Sequence, residues 1–418
     1  MTRKLLSAVA MMVAVFFTGS LVAQAAEVTF GGQIRPRYEV RHQSDSTGRN
    51  NEGINMRTRL NTNIKVDENT SVFLQFQMNS QWGGAVGATG FNPSSGNDSS
   101  TEVGLHQAYF TIKNLFGQNL AAKIGRQEIV LDGHRLFGHT GWLQGAQAHD
   151  AARFTHSHED MTVLYAYSKV FEDNAGADPQ DEADREVHIL WLNMKGALGG
   201  NSSTSGYLVY NDDDTAKSAG GGSADFWTIG VRHAGGAGNI DYRGEFYYQN
   251  GQSSDVDINA FMVGLRAGYK MPNVNMKPKI TLWLDYLSGT DGTDPGADIG
   301  AFNTLFDTGH KFYGLQDILV PVLVGNHNGL IDLAIKVAIK PMAKTTLKVD
   351  LHSFTRAEDD GAGNDDIGEE IDVTLIYKYS PSTKFLVGFS YFMGDDNFVA
   401  PPVDPDQSWF YVMADLKF

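Results

Sequence analysis

Apolar and polar residues exchange places at every second position along nearly the whole chain, and this period of two limits the fold more than any other feature. In residues 28 to 41, Val28, Phe30, Ile34, Pro36, Tyr38 and Val40 share one parity, while Thr29, Gln33, Arg35, Arg37, Glu39 and Arg41 share the other. Successive side chains of an extended strand point to opposite faces, so these sets are the two sides of one strand. Ile54, Met56, Leu60, Ile64 and Val66 stand in the same way against Asn55, Arg57, Arg59, Asn61, Asn63 and Lys65. A soluble sandwich alternates too, so the period fixes strands and leaves their surroundings open.

The connections narrow the choice. Eighteen segments of about ten residues fit the pattern, the first at 28–42 and the last at 408–418. Short connections at 67–70, 114–118, 157–159, 235–238, 341–343 and 380–382 alternate with long ones at 83–101, 130–146, 171–183, 212–224 and 289–328. Only 252–255 is out of place, being short where a long loop belongs. Short turns on one side, long loops on the other and an even strand number predict an all-β fold, a transmembrane antiparallel up-and-down β-barrel of the bacterial outer membrane. Trp82 and Trp227 fall on the apolar parity at long-loop ends, where an aromatic girdle is expected. Phe410, Val412, Ala414, Leu416 and Phe418 give the last strand one apolar face that ends on an aromatic. Such a strand resembles the signal read by the barrel-assembly machinery, an expected partner, and it would close against the first strand.

The start of the chain reads as an export signal. Arg3 and Lys4 precede an apolar run from Leu5 to Val22 and the small-x-small site Ala23-Gln24-Ala25. Residues 1–25 are therefore expected to be a cleaved signal peptide and 26–418 the barrel domain. No other stretch is long and apolar enough to cross a bilayer as a helix. Glycine (46), phenylalanine (24) and tyrosine (16) are spread without a compositional break, which favours one repetitive architecture over several domains.

The absence of cysteine removes disulfides, thiol nucleophiles and iron–sulfur ligation. A formal net charge of −16 disfavours nucleic acid. No phosphate cradle, nucleophile motif or zinc signature stands out, so neither an enzyme nor a cofactor is expected. His156 and His158 have strand-ligand spacing but sit at a short turn, and His134 and His139 flank Arg135. Structural or solute-contact roles suit these better than metal ligation. Asp212 to Asp214 and Glu358 to Asp360 lack the spacing of a calcium loop and read as solvated loops or partners of ions bridging lipopolysaccharide.

Eighteen tilted strands enclose a cylinder on the order of 40 Å across, too wide for side chains to fill, so a channel is the default function. The inward parity carries Arg35, Arg37, Arg41, Arg57 and Arg59 with a single acid, Glu39; Arg153, Arg232 and Arg243 also fall inward. Two readings stand side by side. An arginine ladder would favour anions and offer bidentate contacts to carboxylate or phosphate. Alternatively the arginines pair with Glu39, Asp241, Glu245 or Asp350 and merely hold the wall.

Two stretches go beyond a generic barrel. Ile124-Gly125-Arg126-Gln127-Glu128-Ile129, with Asp132-Gly133-His134-Arg135-Leu136-Phe137-Gly138, Trp142-Leu143-Gln144 and Asp150-Ala151-Ala152-Arg153, resembles the pattern of the alginate export family of outer-membrane barrels. Phe302-Asn303-Thr304-Leu305-Phe306 and Gly309-His310-Lys311-Phe312-Tyr313-Gly314-Leu315-Gln316-Asp317 resemble its long-loop motif. The resemblance implies an eighteen-stranded barrel with an arginine-rich constriction, and at matching motif positions Arg126, Arg135 and Arg153 join Arg35, Arg37, Arg57 and Arg59 as candidate lining. The family's exporter threads an anionic polyuronate past a long periplasmic gate. Here the longest periplasmic turns, 195–202 and 270–277, are short, and the segment 289–328 is long enough to fold into the lumen instead.

The expected function is a channel passing anionic or polar solutes by diffusion, in contact with outer-membrane lipid and lipopolysaccharide. A structural sheath around a secretion or electron-transfer partner is the alternative, and it would need that partner to fill the lumen.

Overall fold

The computed structural model describes residues 27–42, 51–83, 103–172, 183–215, 222–292, 298–319, 328–358, 361, 363–396, 398 and 405–418. The expected signal peptide at 1–25 lies outside the described residues. The strands are β1 (Glu27–His42), β2 (Asn51–Lys65), β3 (Thr70–Gln81), β4 (Gly104–Ile112), β5 (Leu120–Gln127), β6 (His149–His158), β7 (Met161–Phe171), β8 (Arg185–Lys195) and β9 (Ser203–Asp213). The second half has β10 (Ala224–Ala237), β11 (Ile240–Ser253), β12 (Val256–Lys270), β13 (Lys279–Leu287), β14 (Leu330–Ile339), β15 (Thr345–Thr355), β16 (Asp366–Lys378), β17 (Thr383–Gly394) and β18 (Gln407–Lys417). Each pairs antiparallel with its sequence neighbours, and β18 pairs with β1, so the eighteen-stranded sheet is a closed barrel without an edge.

Closure depends on a small residue at the seam. The Gly32 amide donates to the Phe418 carbonyl at 2.8 Å, and the Phe418 amide donates back to the Gly32 carbonyl at 3.1 Å. A Cβ on Gly32 would stand 2.6 Å from the Arg59 carbonyl oxygen and 2.5 Å from the Phe418 ring, so only glycine lets the last residue lie against both strands.

Burial is inverted relative to a soluble protein, and this separates barrel from sandwich. Ile229 and Leu282 are each 57% exposed on the outer face, while Gln77, Gln127 and Asp285 are fully buried inside. Apolar side chains face out and polar ones face in, as a wall between lipid and lumen requires. Trp82 and Trp227 stand on the outer surface near the long-loop ends, and Tyr269, Tyr379 and Phe418 ring the other end.

The short connection at 252–255 is a two-residue hairpin turn. Strands β11 and β12 pair up to Ser253 and Val256, and both Ser254 (φ 49°) and Asp255 (φ 69°) are left-handed, as tight primed turns demand.

Two long connections do not stay outside. Residues 128–148, between β5 and β6, and the described part of 289–328, between β13 and β14, lie side by side within the barrel. Phe137 and Phe306 form a parallel bridge; the Gly138 amide donates to the Phe306 carbonyl (2.8 Å) and the Phe306 amide to the Leu136 carbonyl (2.9 Å). Ile129, Leu136, Phe137, Phe302, Phe312 and Tyr313 from these loops make an apolar core with Ala151, Ala166, Ile189, Val209 and Met262 of the wall. Several inward positions of β6 to β12 are thus apolar where a loop covers them, while Glu245 and Gln249 bond the loops instead.

Candidate channel constriction

Register sets the arginines of the first two strands in facing rows. Arg35 lies opposite Arg57, Gln33 opposite Arg59, and Arg37 opposite Asn55. Like charges directly across a strand pair repel, so something must satisfy them, and here it is the backbone of the 128–148 loop. Arg35 donates to the carbonyl oxygens of Gly141 (2.7 Å), Trp142 (2.9 Å) and Leu143 (3.0 Å) and to Oε1 of Gln144 (2.8 Å). Arg57 reaches Gly141 (3.3 Å) and Leu143 (3.1 Å), and Arg37 reaches Trp142 (3.0 Å) while pairing with Glu39 at 3.3 Å. Arg59 bonds Gln77 (2.6 Å), whose own amide holds the Gly145 carbonyl (2.7 Å). The second expected reading, pairing with Glu39, Asp241 or Glu245, describes Arg37, Arg266 (2.9 Å to Asp241) and Arg243 (3.3 Å to Glu245), whereas Arg35 and Arg57 clamp loop carbonyls; Arg35, Arg37, Arg57 and Arg59 are all buried beneath the loop.

Arg135 crosses to the opposite wall. Its guanidinium meets Glu245 (3.0 Å), Asp285 (2.6 Å) and the Tyr313 hydroxyl (2.9 Å), with the Phe312 ring 3.7 Å below. At 2% exposure it braces the two loops against β11 and β13, so the expectation that it lines the pore is corrected. Burial removed it from water, and two carboxylates compensate.

Arg126 is corrected in the other direction. It shares the face of Ile124, which is open to the outside, and clasps the outward Asp150 through two bonds of 2.8 and 2.6 Å at the extracellular end of β5. Strand parity prevails over motif position here. Arg153 does face the lumen, half-buried on the parity of Ala151.

Glu370 on β16 holds the second loop by accepting the amides of Leu315 (2.7 Å) and Gln316 (3.0 Å). Gly314 makes this approach feasible: it is left-handed (φ 82°), and a Cβ there would sit 2.6 Å from the Glu370 carboxylate. Asp285, Asp332 and Asp372 accompany Glu370 as buried acids on this side, whereas β1 to β6 are rich in arginine. The inward charges of β1 to β6 are thus mostly basic, while on β10 to β16 the acids stand among cations such as Arg243, Arg266 and Lys336. Sequence reasoning had placed Glu245 and Asp350 inward but missed Glu370, although its parity within 368–379 was readable.

Charged groups in the loops feel this enclosure. Burial pushes the Asp307 carboxyl up to about 7, against the opposing pull of Arg135, and its Oδ2 has no hydrogen-bond partner. Burial pushes His134 down to about 4, helped by Lys311.

Of the histidines singled out in the sequence, His156 Nδ1 lies 2.7 Å from the Asn119 carbonyl oxygen, and His134 faces Thr308 at 3.3 Å. The carboxylates of Asp212, Asp214 and Asp225 gather at the extracellular rim within 4.8 Å of one another. Part of the 358–360 acid run lies outside the described residues.

An edgeless barrel with a lipid-type outer face and a polar interior narrowed by its own loops defines a porin-like channel of the outer membrane. The chain belongs to the alginate export family, whose profile it matches over residues 26–401. Among solved structures it is similar to OprD from Pseudomonas aeruginosa (TM-score 0.61, 12% identity, 94% of each chain). It is similar as well to OpdO from Pseudomonas aeruginosa (0.60, 12%, 94% of this chain and 97% of that one) and OccAB4 from Acinetobacter baumannii (0.60, 12%, 95% and 100%). At such identities the likeness is one of fold. A comparison with curated protein sequences found no match.

Proposed function

We propose that this barrel conducts small anionic solutes by diffusion along the basic arc of its lumen, past the loop body that Arg35, Arg37, Arg57 and Arg59 hold in place, with Arg153 on the open wall. The observation that carries the reading is the uneven balance of charge: β1 and β2 bring Arg35, Arg37, Arg41, Arg57 and Arg59 inward with one acid, Glu39, and β6 adds Arg153, while Glu245, Asp285 and Glu370 are engaged by Arg135, Arg243 or the second loop. A potential of one sign along a water-filled arc lowers the barrier for the opposite ion.

The two loops favour small solutes over a long polyuronate. Residues 128–148 span the bore, from Arg35 and Arg57 to Trp191, which donates to Asp132 (2.9 Å), and on to Glu245. They also occupy the space a lumen-filling partner would need, which argues against a sheath. Residues 1–25 act as a cleaved export signal in this account, and no catalytic step is assigned to any residue.

Liposome swelling tests the reading. Vesicles holding the refolded mature barrel should admit gluconate faster than uncharged sugars of equal size; equal or slower admission would contradict it.

A further inference from the structure

We infer that Lys123 and Arg153 form a binding subsite for a small carboxylate on the lumenal wall, below the loop body on its periplasmic side. This deepens the anion-channel reading by naming one residue pair and one ligand class, and it rests on that reading only for its physiological purpose.

The two residues are register partners across β5 and β6, so two cations stand directly opposite one another. Both face the lumen. Ile124, on the other parity, is open to the outside, while Ala151 and Ala166, the strand neighbours of Arg153 on its face, lie in the lumenal core. Such a pair is destabilising unless acceptors lie between its members, as the Gly141 carbonyl does between Arg35 and Arg57, and an anion would serve the same end here.

Elsewhere in the lumen the cations have polar partners, either an acid, as in Arg185 with Asp213 (3.0 Å), Arg243 with Glu245 (3.3 Å) and Lys336 with Asp350 (3.2 Å), or loop carbonyls, as for Arg35 and Arg57. Among the described residues the side chains of Lys123 and Arg153 have neither a hydrogen bond nor an ion pair, and the Nε of Arg153 is buried without an acceptor. The acid nearest Lys123 in sequence, Glu128, is taken by His106 (2.9 Å) and Arg59 (3.7 Å), and the one nearest Arg153, Asp150, faces outward and is taken by Arg126 (2.6 Å).

The surroundings favour carboxylate. A guanidinium offers a planar fork to two oxygens, and an ammonium adds a point charge beside it. The Lys123 ammonium sits 3.7 Å over the Tyr109 ring, and Phe73 lies 5.2 Å from that ring, giving the carbon skeleton of an organic acid an apolar neighbour. Lys123 lies in the half of β5 that follows the short turn after β4, and Arg153, at mid-strand, stands two residues beyond Ala151 toward the short turn to β7, so the pair sits at mid-wall on the periplasmic side of the loop-covered core.

Calorimetric titration of the refolded mature barrel in detergent with sodium benzoate tests this whether or not the pore conducts. The unaltered protein should bind benzoate with millimolar affinity or better. K123Q and R153Q should each weaken binding at least tenfold, R153K should keep most of it, and K195Q, at the periplasmic end of β8, should bind like the parent. Heat-modifiable gel migration identifies variants that have folded. Absence of benzoate binding by the parent, undiminished binding by K123Q and R153Q, or sulfate binding as tight as benzoate would overturn the assignment. A conducting barrel that fails this titration would leave the channel reading standing, and a binding barrel that does not conduct would leave the subsite standing.

Discussion

Arg35 and Arg57 stand opposite each other across β1 and β2, and the Gly141 carbonyl accepts a hydrogen bond from both, at 2.7 and 3.3 Å. One backbone oxygen of a loop thus sits between two positive charges of the wall. Bonds to charged donors contribute roughly 1.5 to 3 kcal/mol each. Replacing both with glutamine should leave the barrel folded but free the 128–148 loop. Limited proteolysis should then cut within 128–148 at least tenfold faster, and single-channel current should become noisier. An unchanged cleavage rate would show that other contacts hold the loop.

Arg135 has a different weight, because its removal leaves Glu245 and Asp285, both fully buried, with only the longer contacts of Arg243 (3.3 and 3.7 Å) and Arg232 (3.8 Å). Breaking one member of such a buried set destabilises by about 3 to 5 kcal/mol. R135A should unfold at lower denaturant concentration by gel-shift titration. R135M with E245Q and D285N should recover much of the loss.

Arg126 should behave as a surface residue. Its pair with Asp150 is about half exposed (40% and 54%), where such pairs contribute roughly 0 to 1 kcal/mol. R126E should change neither ion selectivity nor unfolding measurably, and a selectivity shift would return it to the lining.

Asp307 supplies a pH dependence. Its carboxyl, held at about 7 by burial, binds a proton in the folded loop at pH values where the unfolded chain has lost it. The native state therefore binds more protons between about 4 and 7, and the seating of the second loop weakens as pH rises through that window. His134, held at about 4, has the opposite sign, since it binds fewer protons than the unfolded chain up to its ordinary value near 6.5. The comparison with D307N isolates the carboxyl. Gating events should be more frequent at pH 8 than at pH 5 in the parent, and that excess should shrink in D307N. An identical pH profile in D307N would remove Asp307 from the account.

The strands were legible because lipid outside and water inside write their demands at alternate positions, as in Val28 to Arg41. The connection at 252–255 looked anomalous because β11 runs on to Ser253 through polar residues, Gln249 to Gln252, that carry no apolar signal. Arg153 could be placed by the same parity, and so could Lys123 opposite Ile124, though its meaning depends on which residue faces it, a matter of register. Arg126 was misplaced because motif similarity was followed against a parity already visible.

The partners of Arg35 and Arg57 could not be read at all. They are carbonyl oxygens, which every residue carries, brought into reach by a loop without periodicity. The one advance sign was local: Ala151, Ala166 and Ile189 put apolar groups on lumenal positions, which makes sense only if something covers them.

The central claim is that the basic arc governs what passes. Single-channel recording of the refolded mature protein in a planar bilayer under a potassium chloride gradient tests it most directly. The account predicts an open conductance whose reversal potential shows preference for chloride, reduced in R153Q; a cation-selective pore, or one that never opens, would contradict it.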